Sequence, residues 1–294
     1  MKIRAPAKIN LGLEVVRKRP DGYHDILTLF QSISLADELE FRAAPRGAIR
    51  LRGDDPEISW DESNLVHRAA RLLRETTGAQ AGAAISVRKK IPAGKGLGGG
   101  SADAAMTLYG LNALWETGLD RPALAKLGKE LGADVPYFLT GGLCLGRERG
   151  DIVEPLADLP ALPVVLALPP FPVLTADIYR AYPAALTSEG RDSRIVGFFE
   201  AQDKDFGRLE NGLETVIFRS YPQLAELKSL FRDRGAALSL VSGSGSAVFG
   251  LFQDRERAEA ALAVTRTALR RRVRAVLVET LSRERYWESV RAGV

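Results

Sequence analysis

Residues 92–101 read Pro92-Ala93-Gly94-Lys95-Gly96-Leu97-Gly98-Gly99-Gly100-Ser101, with five glycines inside seven positions. Glycines at that density let the backbone turn tightly and bring N–H groups against a ligand with no Cβ in the way. Before the run, residues 84–90 form an apolar strand candidate. After it, Ala104, Leu108, Leu111 and Trp115 mark one face of a helix. A strand, a glycine loop and a helix starting at Ser101 make an anion site, because unpaired amides and the positive end of the helix dipole both face the bound group. A flexible linker is the plainer reading of glycine alone, and the flanking elements argue against it. A P-loop is excluded: Gly94-Lys95 is followed by Gly96, and the serine comes only at position 101. Gly94, Gly96 and Gly99 do fit G-x-G-x-x-G. However, Pro92 separates strand from loop and no repeated βαβ pattern surrounds it, so the dinucleotide reading is the poorer one.

Upstream, residues 8–15 alternate, with Ile9, Leu11, Leu13 and Val15 on one face and Lys8, Asn10, Gly12 and Glu14 on the other. This pattern predicts a half-buried strand that sets Lys8 beside Asn10. Pro20-Asp21-Gly22 is turn chemistry, Tyr23 and His24 sit just past it, and residues 26–35 read as a second strand. Polar, hairpin-like material fills residues 37–53. Ser63 or Asn64 then caps a helix carrying Leu65, Ala69, Leu72 and Thr76, with Gly78 as its stop. A helix over 121–131 ends at Gly132, and another begins near Asp134, where Pro136 is tolerated in the first turn. The Pro-rich stretch 155–172, which holds an apolar strand at 164–168, is the expected domain boundary. Beyond it the pattern predicts helix 223–233, strand 237–241, loop 242–246, strand 247–252, helix 254–269 and strand 273–281. Such an order suggests an α+β fold in two domains, residues 1–155 and 156–294.

At 294 residues, 46% hydrophobic and 27% charged, the chain has the composition of a globular protein rather than a disordered or fibrous one. Lys and Arg number 41 against 37 Asp and Glu, a net +4 that is too small to imply a nucleic-acid partner. No apolar run is long enough for a membrane helix. With one cysteine, Cys144, and no signal-like start, the expected compartment is the cytoplasm. His24 and His67 are the only histidines and no metal-ligand spacing occurs, so no transition-metal site is expected. The basic run Arg266, Arg270, Arg271, Arg272 and Arg274 reads as a solvated face at a helix end.

Two further features have two readings each. Ser242-Gly243-Ser244-Gly245-Ser246 is a hairpin turn or a second backbone-rich wall around a phosphorylated ligand. Asp134 is a helix cap or a carboxylate that accepts a substrate hydroxyl proton. Lys8, on a strand face with Asn10, reads as a solvated lysine.

Several of these segments together resemble the GHMP kinase superfamily over most of the chain. The first motif matches Ala5-Pro6-Ala7-Lys8-Ile9-Asn10-Leu11 and runs on through Asp21-Gly22-Tyr23-His24. The second matches residues 92–105, and the third Ser242 through Phe249. Leu131-Gly132-Ala133-Asp134-Val135-Pro136 and residues 64–73 are also similar to family signatures. The Gly-Tyr-His and Gly-Ala-Asp-Val-Pro segments point to the branch that acts on a cytidine diphosphate-linked methylerythritol. Ala102 departs from the second serine that many members carry.

The resemblance implies a two-domain GHMP kinase fold with its active site in the interdomain cleft, and transfer of the γ-phosphate of ATP, with Mg²⁺, to the acceptor's 2-hydroxyl. Asp134 would orient or deprotonate that hydroxyl, with Lys8 beside it. Gly94, Gly96, Leu97, Gly98, Gly99, Gly100 and Ser101 would hold the ATP phosphates, and Asn64 and Lys89 match positions near the adenine. Asn10 and Thr175 would contact the methylerythritol or its diphosphate, Tyr23 and Tyr179 would stack on cytosine, and His24 would read its edge. The alternatives are a GHMP kinase for homoserine, mevalonate or a sugar, and a nucleotide-binding protein that has lost transfer. Neither nucleic acid nor membrane is an expected partner.

Overall fold

The longest strand organises the first half of the molecule. In the computed structural model, which describes residues 1–183, 193–201, 204–268 and 273–292, β2 (His24–Ala44) runs antiparallel to β1 (Lys2–Lys18) along one edge, from Lys18 opposite His24 to Lys2 opposite Glu40. Its other edge is shared. β4 (Gly82–Arg88) pairs with the far end of β2, and β5 (Leu143–Arg147) with Thr28, Leu29, Phe30 and Gln31. β3 (Ile49–Gly53) lies parallel to β4, and β6 (Ile152–Pro155) pairs with β5.

The expected hairpin over 37–53 is therefore a continuation of β2 to Ala44, followed by a strand that pairs with β4 instead. Leu39 and Phe41, each 1% exposed, alternate with charged neighbours and pack into the core. That burial extends the strand through a segment whose average composition is polar.

Helices α1 (Leu65–Thr77), α2 (Gly99–Leu114), α3 (Arg121–Leu131) and the short α4 (Val135–Phe138) pack around one core with this sheet. Asn64 caps α1, its Oδ1 accepting from the Val66 amide at 2.9 Å, and Gly78 ends the helix in the left-handed region. The buried stripe is Val66, Ala69, Ala70 and Leu73, rotated from the expected Leu65, Ala69, Leu72 and Thr76. Two adjacent alanines on that face let α2 come close, which leaves Leu65 and Leu72 at the flanks.

α2 is buried on every side from Ala102 to Leu108, as expected of a helix at the centre of a core rather than at its surface. A Cβ on Gly110 would lie 2.8 Å from the Phe41 ring and 3.0 Å from Ile3 Cδ1. Gly110→Ala is therefore expected to destabilise the protein by about 1–3 kcal/mol through overpacking, despite alanine's better helix propensity; urea unfolding measures it.

In the second half β7 (Pro163–Leu168) is central. β10 (Arg274–Glu279) lies on one side, β9 (Val248–Leu251) on the other, and β8 (Leu238–Val241) at the edge, with every pairing antiparallel. The helices are α5 (Thr175–Ala181), α6 (Arg194–Glu200), α7 (Glu214–Ser220), α8 (Pro222–Asp233) and α9 (Arg255–Ala268).

The chain finally returns to the first half. α10 (Arg283–Arg291) places Tyr286, Trp287 and Val290 in the core around α2, and the Tyr286 hydroxyl donates to Phe138 O at 2.6 Å. Of the basic run, Arg270, Arg271 and Arg272 lie outside the described residues. Arg266 is not merely solvated, since it donates to Ala275 O. Among the described residues no helix is long and apolar enough to cross a membrane.

Candidate active site

A cleft of about 1200 Å³ opens between the halves, and it is lined by the glycine loop, the start of β1, the turn at residues 21–24, the approach to α4, and α5. All sixteen candidate site residues named from the sequence border it.

The donor side is backbone. Gly98, at φ 71°, precedes α2 without any side-chain cap, and the first intrahelical bond runs from the Ala102 amide to Gly98 O at 2.8 Å. Thus the amides of Gly99, Gly100 and Ser101 have no acceptor within the helix. Gly96, at φ 74°, admits no other residue in this conformation, since a Cβ there would lie 2.0 Å from Ser242 O. The loop is fixed by Lys8 N donating to Leu97 O (3.0 Å), Ser242 Oγ to Gly96 O (2.9 Å) and Ala247 N to Lys95 O (3.1 Å). Residues 242–246 are a hairpin between β8 and β9, yet Ser242, Ser244 and Ser246 are buried. The segment is a hairpin that also borders the cleft, at Gly243 and Ser244.

β1 departs from the half-buried strand expected of it. Lys8 is 4% and Asn10 2% exposed, because the glycine loop and the 242–246 loop cover the face predicted to be wet. Lys8 Nζ donates to Asn10 Oδ1 at 2.6 Å and stands 3.4 Å from Asp134 Oδ2. The Asn10 amide in turn donates to Thr28 Oγ1 (2.7 Å), whose hydroxyl donates to Gly12 O (2.8 Å). Asp134 occupies the cap position of α4 but makes no capping hydrogen bond. Its carboxylate, 32% exposed, faces Lys8 and the cleft.

At one end of the cleft Asn64 is spent on its helix cap and on Ser59 O, and the Lys89 ammonium lies between Asp37 and Asp103. Ile58, Trp60, Leu65 and Ile91 supply apolar surface there. At the other end the His24 and Tyr179 rings are 5.4 Å apart, and Tyr23 is 59% exposed with the Arg149 guanidinium 5.3 Å from its ring. Burial, reinforced by the charge of Lys18, holds the His24 imidazole below the usual histidine value, and its buried Nδ1 has no hydrogen-bond partner among the described residues. A neutral imidazole keeps one nitrogen as an acceptor. The Thr175 hydroxyl is 2.7 Å from that of Ser244, which links α5 to the second loop.

The sequence reading missed several residues. Arg149 and Lys129 border the cleft and flank the buried Asp151 at 3.5 and 3.8 Å. Asn211 donates to Val241 O and Gly243 O and so shapes the second loop. No local pattern marks Lys129 or Asn211, because each acts through partners distant in the chain.

The class follows from likeness as well as geometry. Residues 64–142 match the GHMP kinases N terminal domain and residues 197–270 the GHMP kinases C terminal. A homoserine kinase from Cytophaga hutchinsonii shares the fold, with a TM-score of 0.75 at 21% identity over 96% of this chain and 94% of that one. Within the class the match narrows. A 4-diphosphocytidyl-2-C-methyl-D-erythritol kinase of Pelotomaculum thermopropionicum is 45% identical over 257 residues, 86% of this chain and 90% of its own. A crystal structure of a 4-(cytidine 5'-diphospho)-2C-methyl-D-erythritol kinase superposes with a TM-score of 0.79 at 39% identity, covering 95% of this chain and 99% of that chain. The chain belongs to the 4-diphosphocytidyl-2-C-methyl-D-erythritol kinase family of GHMP kinases.

Proposed function

We propose that the protein transfers the γ-phosphate of ATP to the 2-hydroxyl of 4-diphosphocytidyl-2-C-methyl-D-erythritol, a step of the non-mevalonate route to isoprenoid precursors carried out in the cytoplasm. The observation that carries this reading is the Lys8–Asp134 pair standing beside an unpaired-amide cradle in one cleft. The relatives' shared activity supports the choice of acceptor.

In this account Asp134 takes the acceptor's hydroxyl proton as the new O–P bond forms and the bond from the γ-phosphorus to the ADP oxygen breaks. Lys8, oriented by Asn10, favours the developing alkoxide. Gly94, Gly96, Leu97, Gly98, Gly99, Gly100 and Ser101 bind the ATP phosphates through backbone and helix start, so catalysis is positioning and charge stabilisation rather than covalent chemistry. The Ser101 hydroxyl is a hard oxygen donor bordering the cradle, which suits Mg²⁺ arriving on the nucleotide. Bound there, Mg²⁺ would neutralise phosphate charge. The Asn64 and Lys89 side chains are engaged elsewhere, so they would border the adenine through their backbone and stems. Asn10 and Thr175 border the methylerythritol end. His24 would read the cytosine edge between the rings of Tyr23 and Tyr179, and Arg149 and Lys129, which border the cleft, would supply cations to the diphosphate.

Tyr23→Ala tests the acceptor pocket. Loss of one stacking face costs about 1–3 kcal/mol per base, so the acceptor KM should rise by on the order of tenfold or more while the ATP KM holds. Equal losses for both substrates would count against the pocket. Cytidine nucleotides should compete with the acceptor, whereas a kinase for homoserine, mevalonate or a sugar would be indifferent to them.

A further inference from the structure

Beneath the phosphate cradle lie three buried titratable side chains whose polar ends the reaction above does not use. Lys89, just past the end of β4, places its ammonium 2.5 Å from Asp37 Oδ2 and 2.6 Å from Asp103 Oδ2, and all three side chains are buried. Asp37, on β2, uses its other oxygen to accept the Lys90 and Ile91 amides at 2.5 and 2.8 Å, where the chain enters the glycine loop. Asp103 sits in the second turn of α2, where the chain has left that loop. Lys89 Nζ also lies 3.5 Å from where a Cβ on Gly99 would stand, with Ile91 Cγ2 at 2.9 Å. The cluster thus holds the two ends of the loop at one point.

Burying an ion triad is costly, and apolar residues of similar volume commonly stabilise a fold as well or better. Stability alone is therefore a weak reason for three buried charges here, and their position supplies a stronger one. Burial pushes the Asp103 carboxyl up to about 7, opposed by the neighbouring Lys89 ammonium, and its Oδ1 has no hydrogen-bond partner among the described residues.

We propose that Asp37, Lys89 and Asp103 form a clasp that closes the base of the glycine loop and fixes the start of α2, so that the Gly99, Gly100 and Ser101 amides converge before the nucleotide arrives. All three are positioning residues: they act through the cradle. The proposal rests on the reading that this loop holds the phosphates of ATP.

Asp103→Asn keeps the shape of the side chain and removes its charge. Misplacement of a binding group by about an ångström costs up to about 10²-fold, so Kd and KM for ATP should rise by roughly tenfold or more. The acceptor KM should hold, and amide hydrogen exchange over residues 91–101 of the nucleotide-free protein should quicken. If that variant does not fold, Lys89→Arg carries the test: it retains a cation between the carboxylates and should raise the ATP Kd less, with the same local exchange signature. A lowered melting temperature with unchanged ATP affinity and unchanged exchange in the loop would overturn the clasp and leave a purely structural triad. Failure of the parent protein to bind ATP would instead overturn the functional reading on which the clasp rests.

Discussion

Asp134→Asn should bind ATP as the parent does and turn over roughly 10²–10⁴ times more slowly, the range for removing a general base. The expectation comes from a side chain whose position and contacts disagree. Residue 134 stands where an aspartate would ordinarily cap α4, but it makes no capping bond and instead faces Lys8 Nζ at 3.4 Å. Because no cap is lost, the amide should leave the melting temperature nearly unchanged. The effect then belongs to kcat. Near-parent turnover would mean that this carboxylate only fills the approach to a short helix, and single-turnover quench-flow with saturating ATP separates the two results.

Gly96→Ala should be nearly as damaging, by a different route. A non-glycine residue in the left-handed region costs about 1–2 kcal/mol. Crowding of an added methyl against its neighbours costs a further ~1–3 kcal/mol, and here the neighbour is the backbone oxygen of Ser242, 2.0 Å away. The loop must shift, and with it the cradle and the contact of Lys8 N with Leu97 O. ATP affinity measured by calorimetry should fall by on the order of 10²-fold, since each ~1.4 kcal/mol is a factor of ten. Gly78→Ala is the control. That glycine has a similar φ of 70° but open space around it, so the alanine should cost only the conformational ~1–2 kcal/mol of stability and leave ATP binding unchanged.

The glycine loop was legible because its chemistry is local: glycine where φ is positive, and a helix immediately after. The stretch from α8 to β10 followed from periodicity for the same reason, with strand and helix bounds close to those expected, whereas α5, α6, α7 and α10 were not foreseen. Lys8 was only half legible. Alternation in β1 correctly set Lys8 beside Asn10, but it could not reveal that the polar face is covered by two loops, one of them more than 230 residues away in the chain. The hairpin expected over 37–53 failed because β3 pairs in parallel with β4, a partner that no turn signal announces. Asp37 and Asp103 were invisible as a pair. They lie on a strand and a helix that meet only in the fold, and each alone reads as an ordinary charged residue. The family likeness supplied what local physics could not, which was the pairing of Lys8 with Asp134 across the chain.

The most direct test of the account is ADP release from Mg²⁺-ATP with 4-diphosphocytidyl-2-C-methyl-D-erythritol, run beside homoserine, mevalonate and galactose, with the Asp134→Asn protein as blank. The account requires turnover on the cytidylyl acceptor alone, lost in the variant. Equal or greater turnover on another acceptor, or ATP binding with no turnover on any of the four, would contradict it.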